Sequence, residues 1–418
     1  MSRVAPIDWE VLAKIFFPGQ PIASVKGCFF FGKKPRLAGH VCLSFGYVNN
    51  PDGSIRWLYP LGSGQPVFLR LYNGAGWRGR WLRLAFRTAF LLRNGWLLRS
   101  GRLHVFYKNQ PPPEWLPAHC PQGNMAIFTG TVGENRKAVA VLEESSGQRW
   151  FHKLPLTAAA TDLVKHEETI LAELSKLGLK KMQVPNARPL AAGLLVSDVK
   201  PLRARYEIDL QTLHYEAVIE LSERTLEQVR LEHLPCWAAI NVSLEALQYQ
   251  PDTNGLPPSK IQRIVANLLA LRSAIQPEAT VPTSLAHGDF TPWNLYLGPG
   301  RLHVYDWELS ERLPLLNDVF HFIFQTGVLV KKQPYPDIEP AIFSIKKNAQ
   351  IQALLQGNNG GFEWLYRFYL LHNTSYYLLK YLRQQPLHQQ AHWLLEAWDL
   401  ALVGAVKNLS QTAHVFQV

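Results

Sequence analysis

The segment that most constrains this chain spans residues 285–322 and reads LAHGDFTPWNLYLGPGRLHVYDWELSERLPLLNDVFHF. It places Asp289 and Asn294 five positions apart in a loop rich in turn-forming residues. A short strand, a Gly-Pro-Gly turn and a second strand follow, and the second strand ends at Asp306. Two carboxylates and a carboxamide on adjoining loops fit phosphoryl transfer assisted by Mg²⁺, which prefers hard oxygen ligands. Asp289 suits the role of the base that takes the proton of an acceptor hydroxyl, and Asn294 with Asp306 suits metal binding.

Residues 125–200 predict a small, strand-rich lobe. The stretch MAIFTGTVGENRKAVAVL (125–142) is typical of two strands joined by a turn that contains Gly130 and Gly133. Small residues there let backbone amides approach a phosphate, although Gly-x-x-Gly in a hairpin is more often a plain turn. The stretch fits neither the P-loop nor the dinucleotide-binding glycine pattern, which excludes both of those folds.

A strand over 148–157 carries Lys153 among apolar neighbours, and helical spacing over Ala158–Leu177 puts Glu167 near the middle of the helix. Such residues can form an ion pair that directs the lysine towards a phosphate, and two solvated side chains are the alternative. Residues 184–201 predict two more short strands and a connector. Residues 202–418 predict a mainly helical lobe with helices over Leu210–Leu234, Pro258–Ile275, Phe362–Arg383 and Gln390–Leu409.

The excess of positive over negative charge lies at one end of the 418 residues, whose net charge is +11. Residues 1–118 hold 16 Lys and Arg against four acidic residues, a net of +12, and the remainder has a net of −1. The loop-like stretch over 108–124 supplies a linker at this boundary. A chain of this length is longer than one hydrophobic core usually serves, so we expect more than one domain. The expected parts are a basic extension (1–118), a strand-rich lobe (119–201) and a helical lobe (202–418).

The segment Gly76–Leu103 holds seven arginines and no acidic residue. On a helix, Arg80, Arg83 and Arg87 share one face, whereas Trp81, Leu84, Ala85 and Leu92 lie towards the other. This pattern is typical of a helix at the surface of an anionic membrane. Two alternatives stay open: a helix that packs its apolar face on the protein, and a surface for another anionic ligand. No nucleic-acid partner is expected, since no known binding module is present.

The cysteines indicate a reducing compartment. Cys28, Cys42, Cys120 and Cys236 form no C-x-x-C pair, which excludes a cysteine-built zinc site or a disulfide scaffold. The N-terminal stretch has no unbroken apolar run of the kind a secretory signal needs. We therefore expect a cytoplasmic protein. The basic segment Gly76–Leu103 extends this expectation to a peripheral position on the inner face of the cell membrane. His287 is expected to have a structural role, and His388 and His392 to lie at the surface.

The string HGDFTPWN, then VYDWE, then PLLND resembles the catalytic segment of the aminoglycoside phosphotransferase and choline kinase superfamily, the protein-kinase-like small-molecule kinases. The resemblance covers about residues 119–400 and leaves the first 118 without a counterpart. It implies an α+β, protein-kinase-like fold of two lobes, with a small antiparallel-sheet N-lobe and a mostly helical C-lobe. The basic N-terminal extension precedes them.

By this resemblance Asp289 is the catalytic base, Asn294 and Asp306 bind Mg²⁺, and Asp318 braces the catalytic loop. Lys153 then holds the phosphates with Glu167 as its helix partner, or with Glu168 if the register is shifted by one. Gly130 to Gly133 form the nucleotide loop, and Leu195 to Pro201 form the hinge that holds the adenine.

The resemblance implies a kinase that transfers a phosphoryl group from ATP, with Mg²⁺, to a hydroxyl of a non-protein acceptor. The basic segment extends this to a membrane-facing acceptor, such as a sugar or a glycolipid precursor of cell-surface polysaccharide. A kinase-shaped scaffold tethered to the membrane surface is the alternative. A protein kinase is a third reading, which the lack of a recognisable activation segment disfavours.

Overall fold

The chain folds as two compact units. The first comprises residues 1–172 and 185–198, and the second comprises residues 173–184 and 199–418. The computed structural model describes residues 8–35, 37, 41–71, 77–108, 111–116, 124–144, 146–200, 204–249, 253–356, 358, 361–384, 387 and 389–409.

The first unit is built on a nine-stranded sheet whose neighbouring strands are all antiparallel in the described residues. Its strands are β1 (Phe29–Phe31), β2 (Val41–Asn49), β3 (Ile55–Pro60), β4 (Gly101–Tyr107), β5 (Met125–Phe128), β6 (Lys137–Glu143), β7 (Arg149–Pro155), β9 (Ala187–Leu190) and β10 (Gly193–Ser197). The spatial order is β1-β4-β2-β3-β5-β6-β7-β10-β9. Its helices are α1 (Trp9–Phe16), α2 (Ile22–Val25), α3 (Trp77–Leu91) and α4 (Ala158–Leu174).

Both faces of this sheet are covered, as the alternation along β3 shows. Leu58 joins the core cluster that contains Phe16 of α1, whereas Trp57 and Tyr59 join a second cluster that contains Phe86 of α3. Successive residues of a strand point to opposite faces, so α1 and α3 cover different sides of the sheet.

The first 118 residues contribute four strands to the same sheet as the predicted strand-rich lobe. Strand β3 pairs with β5 through Trp57 with Phe128 and Leu58 with Ile127. In the described part of the expected linker, Trp115 is buried and its indole N–H donates to the Ile15 carbonyl at 3.2 Å. The basic extension (1–118) is therefore structurally continuous with the sheet. The domain boundaries at 118 and 201 stay predictions.

The second unit is mainly helical. Its helices are α5 (Thr212–Arg224), α6 (Pro235–Gln248), α7 (Pro258–Ser273), α8 (Asn317–Gln325), α9 (Tyr335–Ser344), α10 (Ala349–Gln356), α11 (Phe362–Arg383) and α12 (Gln389–Lys407). Among the described residues of this unit, six short strands form two three-stranded sheets: β11 (Glu227–Arg230), β12 (Thr280–Ala286) and β15 (Glu311–Pro314) in one, and β8 (Met182–Gln183), β13 (Leu295–Leu297) and β14 (Leu302–Val304) in the other. The prediction of an α+β chain with an antiparallel-sheet part and a mostly helical part is confirmed.

One predicted helix is wrong in its second half. The helix expected over Leu210–Leu234 ends at Arg224, and residues 227–230 form β11 instead. At the end of the helix the Thr225 hydroxyl donates to the Leu221 carbonyl at 2.8 Å, and β11 then pairs with β12. Pairing with a strand some 50 residues further on is a tertiary effect that overrides local helical spacing.

Two buried histidines give the fold a predictable pH dependence. Burial lowers the pKa of both His152 and His214 to about 4, from 6.5. Between pH 6.5 and 4 the unfolded chain therefore binds more protons than the folded chain, and stability falls as the pH falls. Each histidine contributes up to about 3 kcal/mol to this loss, which levels off below pH 4.

We expect the free energy of unfolding to be lower at pH 5 than at pH 7.5. Replacing His152 by phenylalanine should flatten this dependence, whereas His392→Gln, at an exposed position, should leave it unchanged. An equal slope in His152→Phe and the wild type would show that His152 does not cause it.

Candidate active site

The loop after β12 is fixed by a glycine that no other residue could replace without strain. Gly288 has φ +80, and a Cβ there would lie 2.1 Å from the Leu309 carbonyl oxygen. The close approach and the left-handed backbone together require glycine between His287 and Asp289. The structure therefore explains why the middle residue of the HGD motif is glycine.

Asp318, at the start of α8, braces this loop. Its carboxylate accepts the backbone N–H of His287 at 2.7 Å and that of Gly288 at 3.1 Å. Burial raises the pKa of Asp318, and the two N–H donors and His287 oppose that rise. The contact is the one implied by the resemblance, and it fixes the direction in which the loop leaves β12.

His287 has the structural role expected of it. Its Nδ1 accepts the backbone N–H of Asp289 at 3.2 Å, so the ring hydrogen is on Nε2, which donates to the Tyr305 carbonyl at 2.6 Å. The side chain is fully buried. Because both ring nitrogens are engaged with backbone groups, His287 ties the loop to the segment that leads to Asp306.

Asp289 and Asn294 are in direct contact. The Asn294 amide Nδ2 donates to Asp289 Oδ2 at 2.9 Å and to the Asp289 carbonyl at 3.0 Å. Asn294 is 8% exposed, whereas the Asp289 side chain is 26% exposed. The carboxylate is therefore held in one orientation and is still accessible to a substrate hydroxyl, as a general base requires.

Two tyrosines of α11 lie in the field of Asp289. Burial raises the pKa of Tyr381 to about 12, and the charge of Asp289 adds to this rise. The pKa of Tyr377 is raised well above 10 by burial and, to a lesser extent, by Asp289. Both phenols stay protonated at neutral pH.

Asp306 stands in a strained turn next to a second carboxylate. Its backbone is left-handed, with φ 61 and ψ 62, and its side chain is half-buried. Carboxylate oxygens of Asp306 and Glu308 lie within 4.8 Å of each other. The Tyr305 N–H donates to the Asn294 carbonyl at 2.9 Å, which connects this turn to the Asp289 loop.

The donor set of these loops fits a divalent cation. The Asn294 amide nitrogen is committed to Asp289, so the amide oxygen is the atom that can ligate a metal. Together with the Asp306 and Glu308 carboxylates this gives hard oxygen donors, the kind that Mg²⁺ prefers. Sequence reasoning assigned no role to Glu308, although its place two residues after Asp306 in a tight turn was a usable signal.

In the first unit, Lys153 and Glu167 form a buried ion pair. The Lys153 ammonium donates to both Glu167 carboxylate oxygens, at 2.7 and 2.6 Å. The two side chains are 9% and 1% exposed. The partner on α4 is therefore Glu167, and the neighbouring Glu168 is half-buried.

The predicted nucleotide loop joins β5 to β6. Gly130 has φ +82, and a Cβ there would lie 2.2 Å from the Lys137 carbonyl oxygen, so the turn requires glycine. Gly133 is exposed, and its carbonyl accepts the Arg136 N–H at 3.2 Å. The Arg136 guanidinium also reaches Asp8 at 2.7 Å, which anchors the loop to the start of α1.

Only some of the other residues singled out in the sequence lie within the described part of the structure. Of the expected hinge from Leu195 to Pro201, Leu195 to Ser197 belong to β10. Pro201 lies outside the described residues, as do Cys120 and His388. His392 is exposed, as expected. Among the described residues, Cys28, Cys42 and Cys236 are free thiols.

The loops of the second unit bring together carboxylate and carboxamide side chains, and the comparison with known families covers these loops. Residues 132–332, just under half of the chain, match the model of the phosphotransferase enzyme family. This match confirms the resemblance and the prediction that the chain is a phosphotransferase. The matched residues include Gly133 and every other predicted site residue except Gly130.

Three solved structures that resemble the chain are distant from it in sequence. The amicoumacin kinase hAmiN is 13% identical, with a TM-score of 0.39, over 68% of this chain and 88% of that one. The macrolide 2′-phosphotransferase MphH from Brachybacterium faecium is 17% identical, with a TM-score of 0.40, over 63% and 90%. A choline/ethanolamine kinase family protein from Mesorhizobium loti is 12% identical, with a TM-score of 0.39, over 68% and 90%. No curated protein matches the sequence.

Proposed function

We propose that this chain transfers the γ-phosphoryl group of ATP, with Mg²⁺, to a hydroxyl of a non-protein acceptor. The observation that carries the proposal is the Asp289 carboxylate. It is held by Asn294 and left accessible in a loop that Asp318 braces. Geometry of this kind supplies the positioning on which phosphoryl transfer mainly depends.

Each site residue has one assigned role. Asp289 orients the acceptor hydroxyl and takes its proton, while Asn294 and Asp306 hold Mg²⁺, which neutralises charge on the phosphates when it is bound. Lys153, directed by Glu167, binds the phosphates of the nucleotide. The backbone amides between Gly130 and Gly133 approach the same phosphates.

Nucleotide binding tests this assignment. We expect Mg-ATP to raise the unfolding temperature of the wild type and to have a much smaller effect on Asp306→Ala, because the metal loses a charged ligand. Glu245→Ala removes an exposed carboxylate from α6 and should respond like the wild type. If the wild type gives no response to Mg-ATP, the kinase proposal fails and the scaffold alternative is favoured.

For the acceptor, we propose a sugar or a glycolipid precursor of cell-surface polysaccharide, presented at a membrane. Residues 119–418 have a net charge of −1, which does not favour a strongly cationic acceptor. The support for a membrane comes from α3 and the 3₁₀ turn after it, which we call the α3 surface (residues 80–99).

The α3 surface exposes large apolar side chains. They are Trp81 (65% exposed), Leu84 (54%), Leu91 (82%), Leu92 (63%), Trp96 (57%) and Leu97 (61%). Phe86 and Phe90 of the same helix are buried against the sheet. The helix therefore packs on the protein through its phenylalanines. Its Trp and Leu side, which the sequence analysis identified as apolar, is exposed to solvent. This arrangement disfavours the alternative in which that side is the buried one.

Arginines flank the exposed apolar side chains. Arg80, Arg87 and Arg93 are exposed, and the segment Gly76–Leu103 contains no acidic residue. Exposed Trp and Leu next to Arg complement an anionic lipid surface, where the rings enter the headgroup region and the guanidiniums meet phosphates. No helix among the described residues has the length and apolar character needed to cross a membrane.

Vesicle binding tests this surface. We expect the protein to co-sediment with phosphatidylglycerol vesicles at low salt and to bind them at least tenfold more weakly as Trp81→Ser/Leu84→Ser. The variant Val242→Ser/Tyr249→Ser removes two exposed apolar side chains from the second unit and should bind like the wild type. High salt should weaken binding, since the arginine contribution is screened. A wild type that stays in the supernatant at low salt excludes membrane docking.

A further inference from the structure

His321 contacts the proposed base, and no sequence motif pointed to it. It lies on α8, three residues after Asp318, and is 1% exposed. Its Nε2 is 3.4 Å from Asp289 Oδ1, on the carboxylate oxygen that Asn294 does not hold. The Thr291 hydroxyl lies 3.4 Å from the same Oδ1, so His321 and Thr291 approach one oxygen of Asp289 and Asn294 approaches the other.

The other ring nitrogen fixes which tautomer His321 adopts. Nδ1 lies 3.1 Å from the Asn373 amide Nδ2 on α11, and an amide nitrogen can only donate. Nδ1 therefore accepts, the neutral ring carries its hydrogen on Nε2, and that N–H points at Asp289. Asn373 is 6% exposed, so the contact is shielded from water.

The ring is also held by packing. Tyr377 stacks on His321 with ring centroids 6.3 Å apart and 22° between the planes, and Tyr369 meets it edge-on at 6.2 Å. These contacts and the two hydrogen bonds leave the imidazole little freedom to turn. A donor fixed in this way can set the orientation of Asp289.

We propose that His321 is a positioning residue for Asp289 and that Asn373 fixes its tautomer. The inference rests on the proposed function, because it assumes that Asp289 is the base. His321 donates to Oδ1 and Asn294 to Oδ2, so the carboxylate cannot rotate. The carboxylate stays 26% exposed, so its remaining lone pairs are accessible to an acceptor hydroxyl. His321 itself touches neither nucleotide nor acceptor in this assignment.

Two substitutions of His321 separate positioning from folding. Leucine removes the donor, and we expect kcat to fall about 10- to 100-fold with the KM for ATP unchanged, as for a misplaced catalytic group. Glutamine can place an N–H near the position of Nε2 and should recover a large part of kcat. If His321→Leu does not fold, the comparison of His321→Gln with the wild type still measures the effect. Full activity in His321→Leu, or equal losses in kcat for leucine and glutamine, overturns the proposal.

Substitution of Asn373 provides an independent test of the proposal. Asn373→Leu should lower kcat severalfold, since the ring can then adopt the other tautomer. The double variant with His321→Leu should be no worse than His321→Leu alone. Additive losses would show that Asn373 does not act through His321. If Asp289→Asn retains full activity the proposed function fails, whereas an inactive Asp289→Asn with a fully active His321→Leu rejects only this inference.

Discussion

Replacing Asp289 by asparagine reduces kcat by about 10²–10⁴-fold, the range for loss of a general base, while Mg-ATP binding is retained. Asparagine has nearly the same shape but cannot take the proton of the acceptor hydroxyl. The residues assigned to the metal and the phosphates are unchanged, so the loss should appear in kcat and not in the KM for ATP. ADP release with a responsive acceptor measures it.

The control for this variant is Glu245→Gln, the same carboxylate-to-amide change at an exposed position of α6. It should keep wild-type kcat. A mild loss in Asp289→Asn, comparable with that of the control, would remove Asp289 from the chemistry. The Asn294 and Asp318 contacts would then have only a structural role.

Glu167→Ala is expected to cost about 3–5 kcal/mol in the free energy of unfolding, because it removes the carboxylate that pairs with the buried Lys153 ammonium. Both side chains are almost fully buried, and the pair is joined by two short hydrogen bonds. Chemical denaturation of the wild type and the variant measures the difference. Mg-ATP affinity should also fall, since Lys153 is no longer directed.

The double variant Lys153→Met/Glu167→Leu tests the reason for that cost. It removes both charges and keeps similar volume, so it should be more stable than Glu167→Ala alone and still fail to bind Mg-ATP tightly. A double variant as unstable as Glu167→Ala would indicate lost packing as the cause. A double variant with wild-type nucleotide affinity would contradict the role given to Lys153.

The contacts that sequence reasoning anticipated are mostly local. Asp289 and Asn294 are five residues apart, and a short turn-rich loop cannot separate them far. Lys153 and Glu167 are 14 apart, but a strand register and one helical face were enough to relate them. Periodicity and turn chemistry constrain such contacts because they act within one or two elements.

The contacts that sequence reasoning missed are set by tertiary packing. His321 and Asn373 are 52 residues apart, on two helices whose packing no local pattern specifies. The helix expected over Leu210–Leu234 was overridden at Arg224 by pairing with β12. On α3, helical spacing located the Trp and Leu side, but the burial of Phe86 and Phe90 depends on a sheet built from distant strands.

The central claim is that Asp289 activates an acceptor hydroxyl for attack on ATP. Incubation with Mg-ATP and a panel of sugars, glycolipids and small alcohols, read by ADP release, tests it most directly. We predict ADP formation that depends on one class of non-protein acceptor in the wild type and is nearly absent in Asp289→Asn. ADP formation at the same rate in both proteins, with or without an acceptor, would contradict the claim.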